Sequence, residues 1–332
     1  MTVLLTGGLG YIGSNVCLVL ERAGIQTVIV DDLSNSYLTV KAHLDDLVNR
    51  NISYYQGDIN NRDLLTTIFS ENKINCVMHF AGLKSAPDSI NDPMQYYSVN
   101  VKGALNVLSV SLDYGVKNFI FSSSATVYGV PDFLPIKESH PLVPCNPYAS
   151  SKLMFEKCLS DISISDSSFK SISLRYFNPM GSDDSYRLRE NPKAGNKNLA
   201  PSIISAAMGT VEQLNIYGSD YDTPDGTAIR DYIHVVDLAE GHLKAYQALE
   251  KIEGSEEINL GTGSGYSVLE AVTSFEAIIG RRVPVKYKSR RAGDVPVCFA
   301  DVAKASDLLQ WKARLGLDEM CGSAWNAAKL AG

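Results

Sequence analysis

TGGLGYIG, Thr6–Gly13, stands directly after the short apolar run Val3–Thr6 and directly before a segment with helical spacing. Glycines at 7, 10 and 13 of a strand-to-helix turn permit a tight bend, close approach of a pyrophosphate to the backbone, and close packing of helix on strand. The helix N-terminus then faces the anion. A glycine-rich turn also forms without a ligand, so its surroundings decide the reading. Working outward, Thr27–Asp31, Ile52–Gln56, Cys76–Ala81, Asn118–Ser123 and Ser171–Phe177 are each short, rich in Val, Ile or Phe, and bounded by Gly, Asp or Ser. That is the pattern of buried parallel strands. Helical segments separate them: Pro93–Tyr114 opens on Pro, carries apolar residues at helical spacing and stops at Gly115. Six strands with crossover helices predict an α/β fold, a doubly wound parallel sheet of the Rossmann kind.

After Asn178 the alternation breaks up. Gly181–Asn198 is polar, contains Pro192 and reads as a long loop; beyond it come a helix-like Pro201–Gly209, a strand-like Leu214–Tyr217 and the turn-rich Gly218–Gly226. The expected division is a nucleotide-binding domain over 1–177 and a smaller substrate lobe over 178–332, with some later segments returning to the first. A chain of 332 residues suits that arrangement, and 45% apolar with 20% charged residues is a globular composition. The net charge of −7 and the lack of a Lys/Arg run disfavour nucleic acid and anionic membrane as partners. The six cysteines are scattered without a CxxC pair, so neither a metal site nor a disulfide framework is expected. No apolar stretch reaches the roughly 18 residues of a membrane span. Met1 leads into an apolar run instead of a basic signal region, so the expected compartment is the cytoplasm.

The second strand ends in Asp31-Asp32, about 20 residues past the glycine turn, where a carboxylate accepts from adenosine ribose hydroxyls. No Arg occupies Leu33 to Tyr37 to receive an extra phosphate, which selects NAD over NADP. Asp58, after the third strand, could reach an adenine amino group or merely cap a helix. In NPYASSKLMFEKCL, Tyr148 and Lys152 lie one helical turn apart and project from one face. A phenol titrates near pH 10 unperturbed, so a base of this kind needs an adjacent ammonium and a positive nicotinamide ring. Ser124, in FSSSATVYG, can share the proton with a reacting hydroxyl. A half-buried helix with a snorkelling Lys would give the same spacing, but here it follows a Ser-rich strand end and a dinucleotide turn in the required order.

These residues resemble the extended short-chain dehydrogenase/reductase family, and within it the UDP-hexose (UDP-galactose/UDP-glucose) 4-epimerase branch. The resemblance is carried by HFAGLK (His79–Lys84), FSSSATVYG (Phe121–Gly129), LRYFNPMG (Leu174–Gly181), GTAIRDYIHVVDLA (Gly226–Ala239), NLGTGSGYSVLE (Asn259–Glu270) and RRAGD (Arg290–Asp294), and it spans nearly the whole chain. It implies tightly held NAD and epimerisation at carbon 4 through a 4-keto sugar, with Tyr148 as base, Lys152 lowering its pKa and holding the nicotinamide ribose, and Ser124 as hydroxyl partner. Matched to cofactor contacts, beside Gly7, Gly10 and Gly13, are Tyr11, Ile12, Asp31, Asn35, Ser36, Asp58, Ile59, Phe80, Ala81, Gly82, Lys84 and Phe177. Matched to the UDP-sugar site, beside Lys84, Ser124, Tyr148 and Phe177, are Ala125, Thr126, Asn178, Asn198, Leu199, Asn215, Tyr217, Arg230, Tyr232, Arg291, Asp294 and Cys298. Arg230 and Arg291 supply the two planar cations a diphosphate requires, unless they only pair with Asp231 or Asp294. The resemblance also implies a homodimer through helices near Pro93–Tyr114 and Tyr148–Asp161, although an apolar helix face is equally what sheet packing requires.

Two departures stand out. Pro87-Asp88 replaces a Gly-Glu of the family pattern, which predicts a stiffer loop near the nicotinamide. Cys298 occupies a position where glucose/galactose-restricted bacterial members carry Tyr; its smallness predicts room for a 2-N-acetyl group, and hence action on UDP-N-acetylglucosamine and UDP-N-acetylgalactosamine as well. It is also the ordinary choice for a small buried apolar site. Three rival readings remain. A nucleotide-sugar 4,6-dehydratase would need an Asp-Glu pair where this chain has Ala125-Thr126. A net alcohol dehydrogenase would release reduced cofactor at each cycle. An NAD-sensing regulatory module would have no need of Ser124, Tyr148 and Lys152 together.

Overall fold

A computed structural model describes residues 1–193, 198–291 and 293–331. Residues 194–197, within the predicted long loop, and Ala292, within RRAGD, lie outside the described residues. The strands are β1 (Thr2–Thr6), β2 (Gln26–Asp31), β3 (Ser53–Gln56), β4 (Cys76–His79), β5 (Asn118–Ser124), β6 (Lys170–Tyr176), β7 (Asn178–Met180), β8 (Leu214–Tyr217), β9 (Ile229–Arg230), β10 (Tyr232–His234), β11 (Ser255–Leu260), β12 (Tyr266–Ser267), β13 (Val285–Lys288) and β14 (Val297–Cys298). Seven of them form one parallel sheet in the order β11-β6-β5-β4-β1-β2-β3. The order reverses between β1 and β4, and in such sheets ligands bind at the carboxyl ends of the strands at that reversal. β1 is sealed on both faces, with Val3, Leu4 and Leu5 fully buried, because helices cover both sides of a parallel sheet. One apolar cluster gathers Leu5, Val16, Ile29 and Leu260, the other Leu4, Phe119, Phe121 and Phe155.

The sheet has seven strands where the sequence predicted six. β11 joins its edge beside β6, pairing Ser255 with Ser171 through to Leu260 with Tyr176. The predicted helix over Pro93–Tyr114 is three pieces: an α-turn Pro93–Tyr96, a π-helix Tyr97–Gly103 and an α-helix Ala104–Asp113. Pro87 does not stiffen a loop. It sits in the first turn of the short helix Ala86–Asn91, capped by the Ser85 hydroxyl accepting from the Asp88 amide at 3.4 Å, and Pro is well tolerated there. The remaining strands build small sheets, β10-β7, β12-β9-β14 and β13-β8, packed with helices Leu199–Ala207, Val268–Ile279 and Leu317–Ala331 around their own apolar cluster of Ile203, Ile216, Phe275 and Met320. Among the described residues no helix is long and apolar enough to cross a membrane, and no group of His, Cys, Asp and Glu is arranged to hold a metal.

Candidate functional site

The glycine turn runs from β1 into the helix Tyr11–Arg22. Gly7 takes φ = +67°, and a Cβ there would lie 2.7 Å from the Ala81 amide nitrogen; a Cβ on Gly13 would lie 2.5 Å from the Gly7 carbonyl oxygen. Both are backbone contacts that nothing flexible relieves. The turn is therefore pressed against the end of β4 and against its own helix, leaving bare backbone to face a ligand. Asp31, at the end of β2, accepts from the Leu9 amide at 3.0 Å, the Leu33 amide at 2.9 Å and the Ser36 hydroxyl at 2.6 Å. Three of its roughly four acceptor sites are thus used to hold the turn to the next loop, and one remains. Asp58 does not cap the following helix. Its carboxylate accepts from the Asn60 amide at 2.8 Å, while Asn61 caps Arg62–Glu71 by accepting from the Leu64 amide.

A strap over Gly181–Lys193 crosses this end. The Tyr11 hydroxyl donates to the Gly181 carbonyl at 2.8 Å, the Asn15 amide to the Leu188 carbonyl at 3.2 Å, and the Lys193 amide to the Asn35 side chain at 3.1 Å. Lys84 pairs with Glu190 at 2.7 Å, and the Asn198 side chain donates to the same carboxylate at 2.5 Å. Lys84, matched to both cofactor and sugar, and Asn198, matched to the sugar, are in this way tied through Glu190, which the sequence did not single out.

Tyr148 and Lys152 lie in the first half of the helix Pro147–Ser165, whose start is capped by Asn146 accepting from the Ala149 amide at 2.9 Å. Ser124, at the end of β5, lies near enough to the Tyr148 phenol for its side chain to favour the ionised form. Thr126 donates to Ser124 Oγ from its hydroxyl at 2.9 Å and from its amide at 3.2 Å, which directs the Ser124 proton outward. Lys152 Nζ donates to the Ser122 carbonyl at 2.8 Å and stands 6.0 Å from the centre of the Tyr148 ring. Burial holds the phenol above its ordinary value, with the nearby Ser124 side chain opposing. Burial also pushes the Lys152 amine down to about 8, with Glu156 opposing. Tyr96 packs edge-on against Tyr148 at 6.5 Å and ties its own hydroxyl to the Ser85 carbonyl at 2.6 Å. Asn100, inside the π-helix, donates to the Leu83 carbonyl and to Ser151 Oγ, both at 3.0 Å, and accepts from the Leu83 amide at 2.8 Å. It clamps the Gly82–Lys84 loop to the Tyr148 helix. Its only sequence signal was a polar residue at a core-facing helical position.

Phe177 joins β6 to β7, and Asn178, the first residue of β7, donates its amide to the Asp231 carbonyl at 2.9 Å. The Arg291 guanidinium lies over the Tyr217 ring at 3.8 Å, and Arg290 lies over Tyr221 at 4.3 Å while paired with Asp220 at 2.8 Å. Arg230 does not pair with Asp231, which is fully buried and accepts from the Thr262, Gly263 and Ala300 amides. Among the described residues neither Arg230 nor Arg291 is in an ion pair, so both planar cations are available. Cys298 on β14 stands beside Arg230 on β9 and packs against a cluster containing Ala125, Phe177 and Ala300. Asn215 and Tyr217 are on β8, buried Tyr232 on β10, Leu199 opens its helix, and Asp294 closes a turn by donating its amide to the Arg291 carbonyl.

Relatives share this framework. The UDP-glucose 4-epimerase of Bacillus subtilis (strain 168) is 46% identical over 325 residues, covering 98% of this chain and 96% of its own. The crystal structure of UDP-glucose 4-epimerase from Bifidobacterium longum in complex with NAD+ and UDP superposes with a TM-score of 0.96 at 42% identity, covering 99% of this chain and 98% of that one. The UDP-Glc/GlcNAc 4-epimerase from Campylobacter jejuni gives a TM-score of 0.86 at 34% identity, covering 99% of each chain. Residues 3–261 match the family model directly, and on that match the chain belongs to the NAD dependent epimerase/dehydratase family.

Proposed function

We propose that the protein interconverts UDP-galactose and UDP-glucose by reversible hydride transfer at carbon 4 of the hexose, with NAD kept bound. The observation that carries this reading is the Tyr148–Lys152 pair on one helix face, with Lys152 Nζ 6.0 Å from the Tyr148 ring centre and bonded to the Ser122 carbonyl of β5, the strand that ends at Ser124. The relatives above support it by their names and bound ligands. The turn's backbone fits a pyrophosphate, and the acceptor site left on Asp31 fits a ribose hydroxyl and repels the phosphate of NADP. NAD held there would supply a hydride acceptor and donor for carbon 4.

The chain's own residues do the rest. The Tyr148 phenolate oxygen takes the proton of the 4-hydroxyl, and Ser124 relays between them. Burial favours the protonated phenol, so base strength must come from positive charge, supplied by the Lys152 ammonium and the cofactor ring. Arg230 and Arg291 hold the diphosphate, so the 4-keto sugar stays tethered while it turns and offers its other face. Tyr148 then returns the proton. The lobe from residue 178 onward supplies this anchor, with β11 returning to the main sheet.

Cys298 supports a wider range. It sits with Ala125 and Phe177 and is short, leaving room for a 2-N-acetyl group in either orientation of the sugar, and a relative named for both sugars has the same architecture. We therefore include UDP-N-acetylglucosamine and UDP-N-acetylgalactosamine among the substrates. A homodimer is supported by the neighbouring side chains of Tyr97, Val101, Leu105 and Met154, of which Leu105 and Met154 are exposed. A cytoplasmic site is supported by six free cysteines. The test is incubation of purified protein with UDP-galactose and no added nucleotide: NMR should show UDP-glucose forming to equilibrium, and an unchanged sugar overturns the reading.

A further inference from the structure

The helix carrying Tyr148 and Lys152 presents a third polar side chain along the same face, Glu156, one turn beyond Lys152. Its side chain is 3% exposed, and a carboxylate so far from water is tolerated only when paired and hydrogen-bonded. Arg175 on β6, equally buried, donates to it twice, from Nε at 3.0 Å and from Nη2 at 2.7 Å; the Ser123 hydroxyl on β5 donates as well. Arg175 is itself fixed by donating to the Tyr128 hydroxyl at 3.1 Å and to the Glu138 carbonyl at 3.3 Å. Tyr128 in turn donates to Asn259 on β11 at 2.6 Å. Two consecutive residues of β5 thus hydrogen-bond the helix, Ser122 through its carbonyl to Lys152 and Ser123 to Glu156, and the next residue, Ser124, lies near Tyr148.

An ion pair that served stability alone would gain little from being buried, because well-packed apolar side chains of similar volume do as well or better. The placement of this one, tied into the same short stretch of strand as the two reacting side chains, asks for another use. We propose that Glu156 is a positioning residue for the reaction: held by Arg175 and Ser123, it sets the helix against β5 so that Tyr148 comes up beside Ser124, and it places a carboxylate one helical turn from the Lys152 ammonium. The inference rests on the epimerase reading above.

The other groups around Lys152 leave this task to Glu156. From β4, His79 is buried and pushed down to about 3, so it is neutral. From β5, Phe121 offers only its ring at 4.9 Å, and on the same helix the Tyr148 phenol is held above its ordinary value by burial and ionises only with the positive charge of the occupied site. Tyr176 from β6 and Tyr96 are phenols held above their ordinary values. Around Glu156 stand Arg175 and Tyr128, with Glu257 from β11 held upward by burial and therefore a weaker source of negative charge.

The test compares turnover of UDP-galactose against pH for the wild-type holoenzyme, Glu156→Gln, and the double variant Glu156→Gln/Arg175→Gln, which leaves no unpaired guanidinium if the single variant fails to fold. Removing the carboxylate should move the alkaline limb of kcat about one pH unit toward neutrality, a roughly tenfold loss above that limb, with bound NAD unchanged. A lowered Tm with the limb where the wild type has it, in whichever variant folds, overturns the proposal. A wild type that fails to epimerise UDP-galactose at any pH instead overturns the functional reading beneath it.

Discussion

Gly13→Ala puts the cofactor site to a quantitative test. The new methyl carbon would sit 2.5 Å from the Gly7 carbonyl oxygen and 2.9 Å from Gly8 Cα. That is about 1 Å inside ordinary contact near 3.5 Å, and both neighbours are backbone. The helix Tyr11–Arg22 must therefore back away from the turn. Overpacking of this kind costs about 1–3 kcal/mol. If the strain falls on the bound form, NAD affinity drops between roughly fivefold and a hundredfold, since each 1.4 kcal/mol is about tenfold. Gly24→Ala is the control: φ there is +77°, but a Cβ would meet nothing within 4 Å. It should cost about 1–2 kcal/mol of stability from the left-handed backbone and nothing in cofactor content. The assay is NAD released per protomer on acid denaturation, with NAD titration of stripped protein and Tm alongside. Stoichiometric, wild-type-tight NAD in Gly13→Ala would refute the cradle.

Three further outcomes follow from the same geometry. Tyr148→Phe should keep fold and bound NAD while losing about a hundredfold or more in kcat, the scale of a general base; a steady-state assay with wild-type-like turnover would remove Tyr148 from the role. Cys298→Tyr should abolish reaction with UDP-N-acetylglucosamine and spare UDP-glucose, read by NMR on each sugar separately, and equal loss on both sugars would sink the gate. His79 and His242 are pushed by burial down to about 3 and about 4, below their unfolded value near 6.5. The unfolded chain then binds more protons between those values, so stability should fall as pH drops from 6.5 toward 4. Denaturant midpoints across that range measure it, and a His242→Gln variant should show a shallower decline.

Much of the nucleotide end was legible because its signals are local. Strand runs bounded by turn residues placed β1 to β6 within a residue or two, and spacing alone put Asp31 at the end of β2. The seventh strand was not legible: SEEINL begins on three polar residues that the edge leaves partly exposed, and only Ile258–Leu260 are buried. The π-helix was not legible, because Tyr97–Gly103 lies inside a segment whose helical spacing reads as continuous from Pro93 to Tyr114. Glu156 and Arg175 carried no signal of their own; they sit on consecutive elements, and their meeting depends on which face of the Tyr148 helix packs against β6. The same holds for Glu190, whose partners Lys84 and Asn198 lie in different segments. Chemistry held by neighbours in sequence could be read, and chemistry held by packing could not.

The central claim is that one hydride leaves carbon 4 and returns to it without escaping. UDP-galactose deuterated at carbon 4, incubated with the protein in ordinary water and no added cofactor, measures this directly by NMR and mass spectrometry of the product. The account predicts UDP-glucose that keeps its deuterium at carbon 4 through many turnovers. Loss of the label to solvent, or product formed only when NAD is added in step with substrate, would contradict it.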